Sequence, residues 1–273
     1  MGKITIPAWK CLRYEVAING ARILRKTIND FSLWRLIEYP ETAKWTEAGR
    51  GDLVLDVGSG TSTFGQMLAR EGARVIVLDL SRERVQWQRE KAAEASPEVQ
   101  ARILPVVADA TALPFCDGVF ERITSVSALE HVPGDAQAAS EIGRVLRPNG
   151  IAVISVPYTF EERKGFFAGI KDFKRTERNT FVQPSKGNYQ VRFYSNADLE
   201  SRFAQPAHAT IERISYFGRK ILNDWYSETR LNRYWLSFIL KDYVLKLIVH
   251  PFEETFLRGT EPFGVIFRMR KTG

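Results

Sequence analysis

LVLDVGSGTSTFG, residues 53–65, decides the reading of this chain. A short apolar, β-branched run carrying Asp56 is followed at once by Gly58 and Gly60, and then by a segment of helical texture. Strand, glycine turn and helix in that order build the corner of a βα unit where a ligand meets backbone. Glycine allows the tight turn there and leaves no Cβ in the way. Working outward, RVIVLDL (74–80), ILPVVA (103–108), VFERITSV (119–126) and IAVISV (151–156) repeat the strand texture expected of a parallel sheet buried on both faces. SRERVQWQREKAAEA (81–95) opens on a capping serine, and GDAQAASEIGRVL (134–146) runs into Arg147, Pro148, Asn149 and Gly150, a stop-and-turn signal. The alternation predicts an α/β, Rossmann-like, doubly wound sheet that takes its ligand at the carboxyl ends of its strands.

The flanks differ in texture. Residues 9–48 carry apolar residues at helical spacing and read as two helices, with Pro40 expected to mark a break. Beyond Pro157 the rhythm fails: residues 158–192 are polar, basic and aromatic, and predict a long lid loop. A capped helix (196–204), a strand (208–217), an aromatic-rich helical stretch (220–250) and a final strand (263–271) follow. The expected organisation is a helical cap at 1–48, a core at 49–217 and 259–273, and a helical insertion at 218–258 that serves a substrate or partner.

Composition bounds the class. The chain has 273 residues, 44% hydrophobic and 26% charged, which excludes a disordered tail or a fibre and allows a full core. Two cysteines, Cys11 and Cys116, far apart and outside any CxxC pattern, indicate neither a disulfide framework nor a metal centre. The N-terminus lacks the apolar run of a signal peptide, and no stretch approaches the roughly 18 apolar residues of a membrane span. The expectation is a soluble, cytoplasmic protein. Its net charge of +7 lies wholly after residue 156, where 20 Lys/Arg face 13 Asp/Glu, against 19 and 19 before it. Such an excess speaks of an anionic partner or of a solvated basic face.

Three acids carry the chemistry. Asp56 beside the glycine turn is poor company for a pyrophosphate, and Thr63 stands where a dinucleotide fingerprint has its third glycine. An NAD(P)-dependent oxidoreductase is therefore disfavoured. A carboxylate there suits an ammonium group, which S-adenosylmethionine carries together with its sulfonium. Asp79, ending the next strand 19 residues after Gly60, can accept both hydrogen bonds of a ribose diol. Asp109, with the backbone of Ala110, ends the third strand where a carboxylate can accept from an exocyclic amine.

From residue 50 to 157 the chain resembles the class I S-adenosylmethionine-dependent methyltransferases, in the branch typified by ubiquinone and menaquinone biosynthesis methyltransferases. LDVGSGTSTFG looks like the first motif, VIVLDLS the ribose motif, DATALPFCDGVFERI the adenine and fourth-strand motif, SALEHVP the post-strand motif and VLRPNGIAVIS the turn into strand five. Glu121 stands where the family more often has Asp, and Asn149 where it often has glycine. The resemblance implies a seven-stranded sheet with a reversed last strand, and S-adenosylmethionine as donor with S-adenosylhomocysteine as product. It places Asp56, Gly58, Ser59, Gly60, Asp79, Leu80, Asp109, Ala110 and Ser127 around the cofactor, and makes Trp34, Arg35 and Tyr39 candidates for a cap over it.

Transfer of a methyl group needs alignment and removal of the acceptor's proton. His131 in LEHVP, just past the fourth strand, is the expected base, with Glu130 and Tyr158 as runners-up. The expected acceptor is an oxygen, less readily a carbon or nitrogen, of a small molecule, lipid precursor or glycan. The basic aromatic lid favours an anionic one. The apolar stretch WLSFILKDYVLKLIVHPF (235–252) could cap a pocket, pair two copies or touch a membrane surface. A nucleic-acid substrate fits less well. Methylation of RNA or protein, and a non-catalytic cofactor-binding scaffold, are the alternatives.

Overall fold

The computed structural model describes residues 2–19, 35–162, 173–219 and 262–273. The readings made for Trp34, for residues 163–172 of the lid and for 220–258, including the 235–252 stretch, lie outside these residues.

Among the described residues two helices, α1 (Ala8–Asn19) and α2 (Arg35–Thr46), precede the alternating region. There β1 (Leu53–Val57), α3 (Phe64–Arg70), β2 (Arg74–Asp79), α4 (Arg82–Ala93), α5 (Pro97–Gln100), β3 (Ile103–Val107), β4 (Phe120–Val126), α6 (Asp135–Val145) and β5 (Leu146–Pro157) follow in turn. A single 3-10 turn, Leu129–His131, links β4 to α6. Three short strands come next: β6 (Lys174–Glu177), β7 (Thr180–Gln183) and β8 (Tyr189–Arg192). The helical turn α7 (Asn196–Leu199) is carried on by a π-helical turn (Glu200–Ala204), and β9 (Ala209–Arg219) and β10 (Pro262–Lys271) close the sheet.

The main sheet has seven strands in the order β3-β2-β1-β4-β5-β10-β9. The first five are parallel, and β10 runs antiparallel to both of its neighbours. Strand parity puts Leu55, Val57 and Leu78 in a core with α6, and Val54, Val75 and Val77 in a second core on the opposite face with α1, α2 and α3. Both faces being covered explains why the strands read as apolar runs. The helix starts follow their caps: Ser81 accepts from the Arg84 N–H, and Ser195 and Asp198 form a reciprocal capping box.

Three expectations need correction. Pro40 lies inside α2 and does not end it, because the helix is held by tertiary burial of Glu38, Tyr39, Thr42, Ala43, Trp45 and Thr46. The Arg147–Gly150 turn is not a connection but an excursion within β5: Phe120 pairs with Leu146 and Arg122 with Ile151, and Asn149 takes the left-handed φ of 62° at its tip. The described part of the 158–192 segment is not a loop, since β6, β7 and β8 form a separate antiparallel sheet. Its short strands carry too few alternations to register as a period.

An ionic hub fastens that small sheet to the core. Asp135 at the start of α6 is fully buried and accepts from Arg192 of β8, from the Tyr194 hydroxyl at 2.9 Å and from Arg202 at 2.9 Å. Buried charge of this kind persists only when every partner is in place.

Candidate active site

A cavity of about 1060 Å³ opens at the carboxyl ends of β1 to β4. Its floor is the β1–α3 turn. Gly58 adopts φ 72°, and a Cβ there would lie 2.5 Å from the Ala128 Cβ, so the turn approaches the β4 exit as only glycine permits. Gly60 donates its N–H to Asp79 Oδ2 at 2.9 Å, while Asp79 Oδ1 accepts from the Ser81 N–H at 2.8 Å. The Gln88 side chain donates to the carbonyls of Gly60 and Ser62, so that α4 holds the turn in shape. Asp109 is fixed by the N–H and hydroxyl of Thr111, both at 2.8 Å.

Of the residues expected around a cofactor, Gly58, Ser59, Gly60, Asp79, Leu80, Asp109, Ala110, Ser127 and Tyr39 all line this cavity. Asp56 does not. Strand parity puts it on the Val54 face beneath α3, where Thr124 donates to it at 2.9 Å and Gly65, kept bare by Val77, lies alongside. Burial pushes its carboxyl up to about 7. Asp56 is therefore absent from the cavity lining, its carboxyl held by Thr124. Ser59 Oγ is buried and has no hydrogen-bond partner among the described residues, although Ser59 lines the cavity.

The roof comes from the N-terminal helices. Glu15 of α1 accepts from Thr63 Oγ1 and from the Asn19 amide, and burial raises its carboxyl above the usual range. The Tyr39 hydroxyl meets Ser62 Oγ at 2.8 Å. Glu38, wholly buried, accepts from Ser127 Oγ and Ser155 Oγ at 2.6 Å each and pairs with Arg35. Ser127 sits at φ 48°, a strained position for a residue with a Cβ, held by these bonds at the cavity's edge. Sequence reading missed Glu15 and Glu38, because acids on a helix look solvated until a neighbouring element buries them.

His131 lines the far wall. Its Nδ1 lies 2.8 Å from the Gln190 carbonyl, an acceptor only, so Nδ1 carries the proton; Nε2 then accepts from the Tyr189 hydroxyl at 2.9 Å. Burial lowers the affinity of His131 for a second proton. The two runners-up are placed elsewhere. Glu130 is buried behind His131, outside the cavity lining; desolvation pushes its carboxyl up to about 8, and Oε2 is unpartnered among the described residues. Tyr158, just past the end of β5, is buried, packed edge-on to Tyr216 and Phe160, and is not among the cavity-lining residues. Tyr189 lines the cavity and could not be found from sequence, because it lies in the segment without a readable period.

Among the described residues no group of three or more His, Cys, Asp or Glu side chains is placed to hold a metal ion, and no helix is long and apolar enough to cross a membrane.

Comparison with known proteins agrees with this architecture. Residues 55–154 match a family model described as a methyltransferase domain. A protein named as an uncharacterized methyltransferase from Mycobacterium sp. (strain JLS) is 35% identical over 63% of this chain and 64% of its own length. A demethylmenaquinone methyltransferase from Clavibacter sepedonicus is 32% identical over 51% of this chain and 55% of its own. The chain thus spans under two thirds of the length of these relatives. Among solved structures, the [4+2]-cyclase SpnF superposes with a TM-score of 0.61 at 17% identity, covering 100% of this chain and 99% of that one, a likeness of fold alone.

Proposed function

We propose that this chain, which belongs through residues 55–154 to the type 11 branch of the class I methyltransferases, binds S-adenosylmethionine in the 1060 Å³ cavity and transfers its methyl group to an oxygen of a small-molecule or lipid-precursor acceptor. The observation that carries the reading is the convergence of Gly58, Gly60, Asp79 and Asp109 on one cavity from three successive strand ends. The residues fit the cofactor. Asp79 would take the ribose diol, Asp109 and Ala110 the adenine edge, and Arg35 the carboxylate of the amino-acid end, near the unpartnered Ser59 hydroxyl. Bound there, the cofactor supplies a methyl group activated by a sulfonium.

The chain's own contribution is alignment, exclusion of water and movement of the acceptor's proton. Glu15, Tyr39 and Arg35 roof the cofactor end. Leu80, Trp87, Val132 and Pro133 give the remaining wall an apolar character that suits a ring or lipid chain. Transfer to a carbon is the second reading, favoured by the relative named as a demethylmenaquinone methyltransferase.

Calorimetric titration with S-adenosylhomocysteine tests the site. Micromolar binding is expected, weakened about 10- to 100-fold in Asp79→Ala by loss of charge-assisted hydrogen bonds. Absence of binding, or equal affinity in the variant, would overturn the assignment. Labelled methyl transfer to hydroxylated acceptors then identifies the atom modified.

A further inference from the structure

The small sheet β6–β8 brings Tyr189 and Gln190 against His131, 58 and 59 residues away in sequence. Building on the methyl-transfer reading above, we infer that Tyr189 takes the acceptor's proton while its own passes to His131 Nε2, which makes the small sheet part of the catalytic machinery.

Three observations carry this. The Gln190 carbonyl fixes the Nδ1–H tautomer, so the one basic lone pair of His131 is on Nε2. That lone pair is already taken by the Tyr189 hydroxyl at 2.9 Å, and the rings are held 4.6 Å apart. Tyr189 lines the same cavity, so an acceptor there reaches the His131 lone pair through the Tyr189 oxygen, which keeps a lone pair to receive a proton. The surroundings favour passage over storage: burial disfavours a lasting charge on either ring, and Arg84 of α4 and Arg35 of α2 add to this at His131.

The step balances. The proton leaves the acceptor's hydroxyl for Tyr189 Oη as the Tyr189 proton moves to His131 Nε2. The electron pair left on the acceptor oxygen forms the bond to the methyl carbon, and the carbon–sulfur bond breaks toward sulfur. The single positive charge passes from sulfonium to imidazolium and is discharged to solvent afterwards.

The test uses the full chain labelled with ¹⁵N-histidine and saturated with S-adenosylhomocysteine. NMR should show His131 as the Nδ1–H tautomer. Tyr189→Phe should shift its Nε2 resonance while leaving the tautomer and the S-adenosylhomocysteine affinity within twofold of wild type. With labelled S-adenosylmethionine and 1,4-naphthohydroquinone as probe, the variant should lose about 100-fold in turnover and lose the acid limb of the pH profile. An Nε2–H tautomer, an Nε2 resonance indifferent to the substitution, or wild-type turnover in the variant would each overturn the relay. The two NMR readouts decide whether or not this probe is methylated. Failure of the wild type to bind S-adenosylhomocysteine would instead sink the methyltransferase reading itself.

Discussion

Gly58→Ala tests whether the β1–α3 turn works by close backbone approach. Two penalties can be separated in the structure. Holding a residue with a Cβ at φ 72° costs about 1–2 kcal/mol. The new Cβ also sits 2.5 Å from the Ala128 Cβ, well inside contact distance, and relieving that overlap by displacing packed backbone costs about 1–3 kcal/mol. The single variant should thus lose about 2–5 kcal/mol, divided between lower stability and a turn pushed out of position. Denaturant unfolding reads the first effect and S-adenosylhomocysteine calorimetry the second. Ala128→Gly in the same chain removes the overlap but not the φ penalty, at a backbone cost of about 0.5–1 kcal/mol. The double variant should therefore be no less stable than Gly58→Ala alone and should bind more tightly than it. If Gly58→Ala binds and unfolds like wild type, or if Ala128→Gly adds its full cost with no relief, the close-approach account is wrong.

Other outcomes follow from the same geometry. Glu38→Ala leaves Arg35 and the hydroxyls of Ser127 and Ser155 without their shared acceptor; with Arg35 partly exposed, a loss of about 2–3 kcal/mol is expected by chemical denaturation, together with weaker S-adenosylhomocysteine binding. Asp135→Ala uncouples Arg192, Tyr194 and Arg202, and should cost about 3–5 kcal/mol and open the small sheet to proteolysis before the core, which limited digestion would show. Asp56 is raised to about 7 and Glu130 to about 8, so the folded state holds protons that the unfolded chain releases near pH 4. Their contribution is fully present below that pH and is lost as the pH rises through 7 to 8. Asp56→Asn, which keeps an acceptor for Thr124, should flatten this decline, so that melting temperatures of variant and wild type converge at low pH and diverge in the variant's favour at pH 8. A parallel pair of curves would refute the ascription.

How far the chain was legible without coordinates varies by element, and for physical reasons. The five parallel strands announced themselves because burial on both faces leaves little but apolar, β-branched residues, and the helix start at Ser81 because capping is a local bond. Gly58, Gly60, Asp79 and Asp109 were found because a βα corner fixes them by position along the chain, within a few residues of a strand end. The length of β5 was misread, since a turn and a bulge share the signature Pro-Asn-Gly until the partner strand is known. The small sheet was misread because its strands are held by long-range partners such as Asp135.

The remaining site residues belong to tertiary structure alone. Asp56 is one residue of a motif by sequence, yet strand parity aims it under α3 and away from the cavity. Glu15 and Glu38 acquire their roles only where α1 and α2 settle over the turn and the β4 exit. Tyr189 meets His131 only because Arg192 and Tyr194 anchor β8 to Asp135 on α6. By itself the sequence determined the alternation of strands and helices from β1 to β5, the reversed final strand through its resemblance, and the corner where a cofactor would lie, because those depend on local spacing. Which side chains face that corner, and which proton acceptor an acceptor molecule would meet, was decided by packing between segments that the chain holds tens of residues apart.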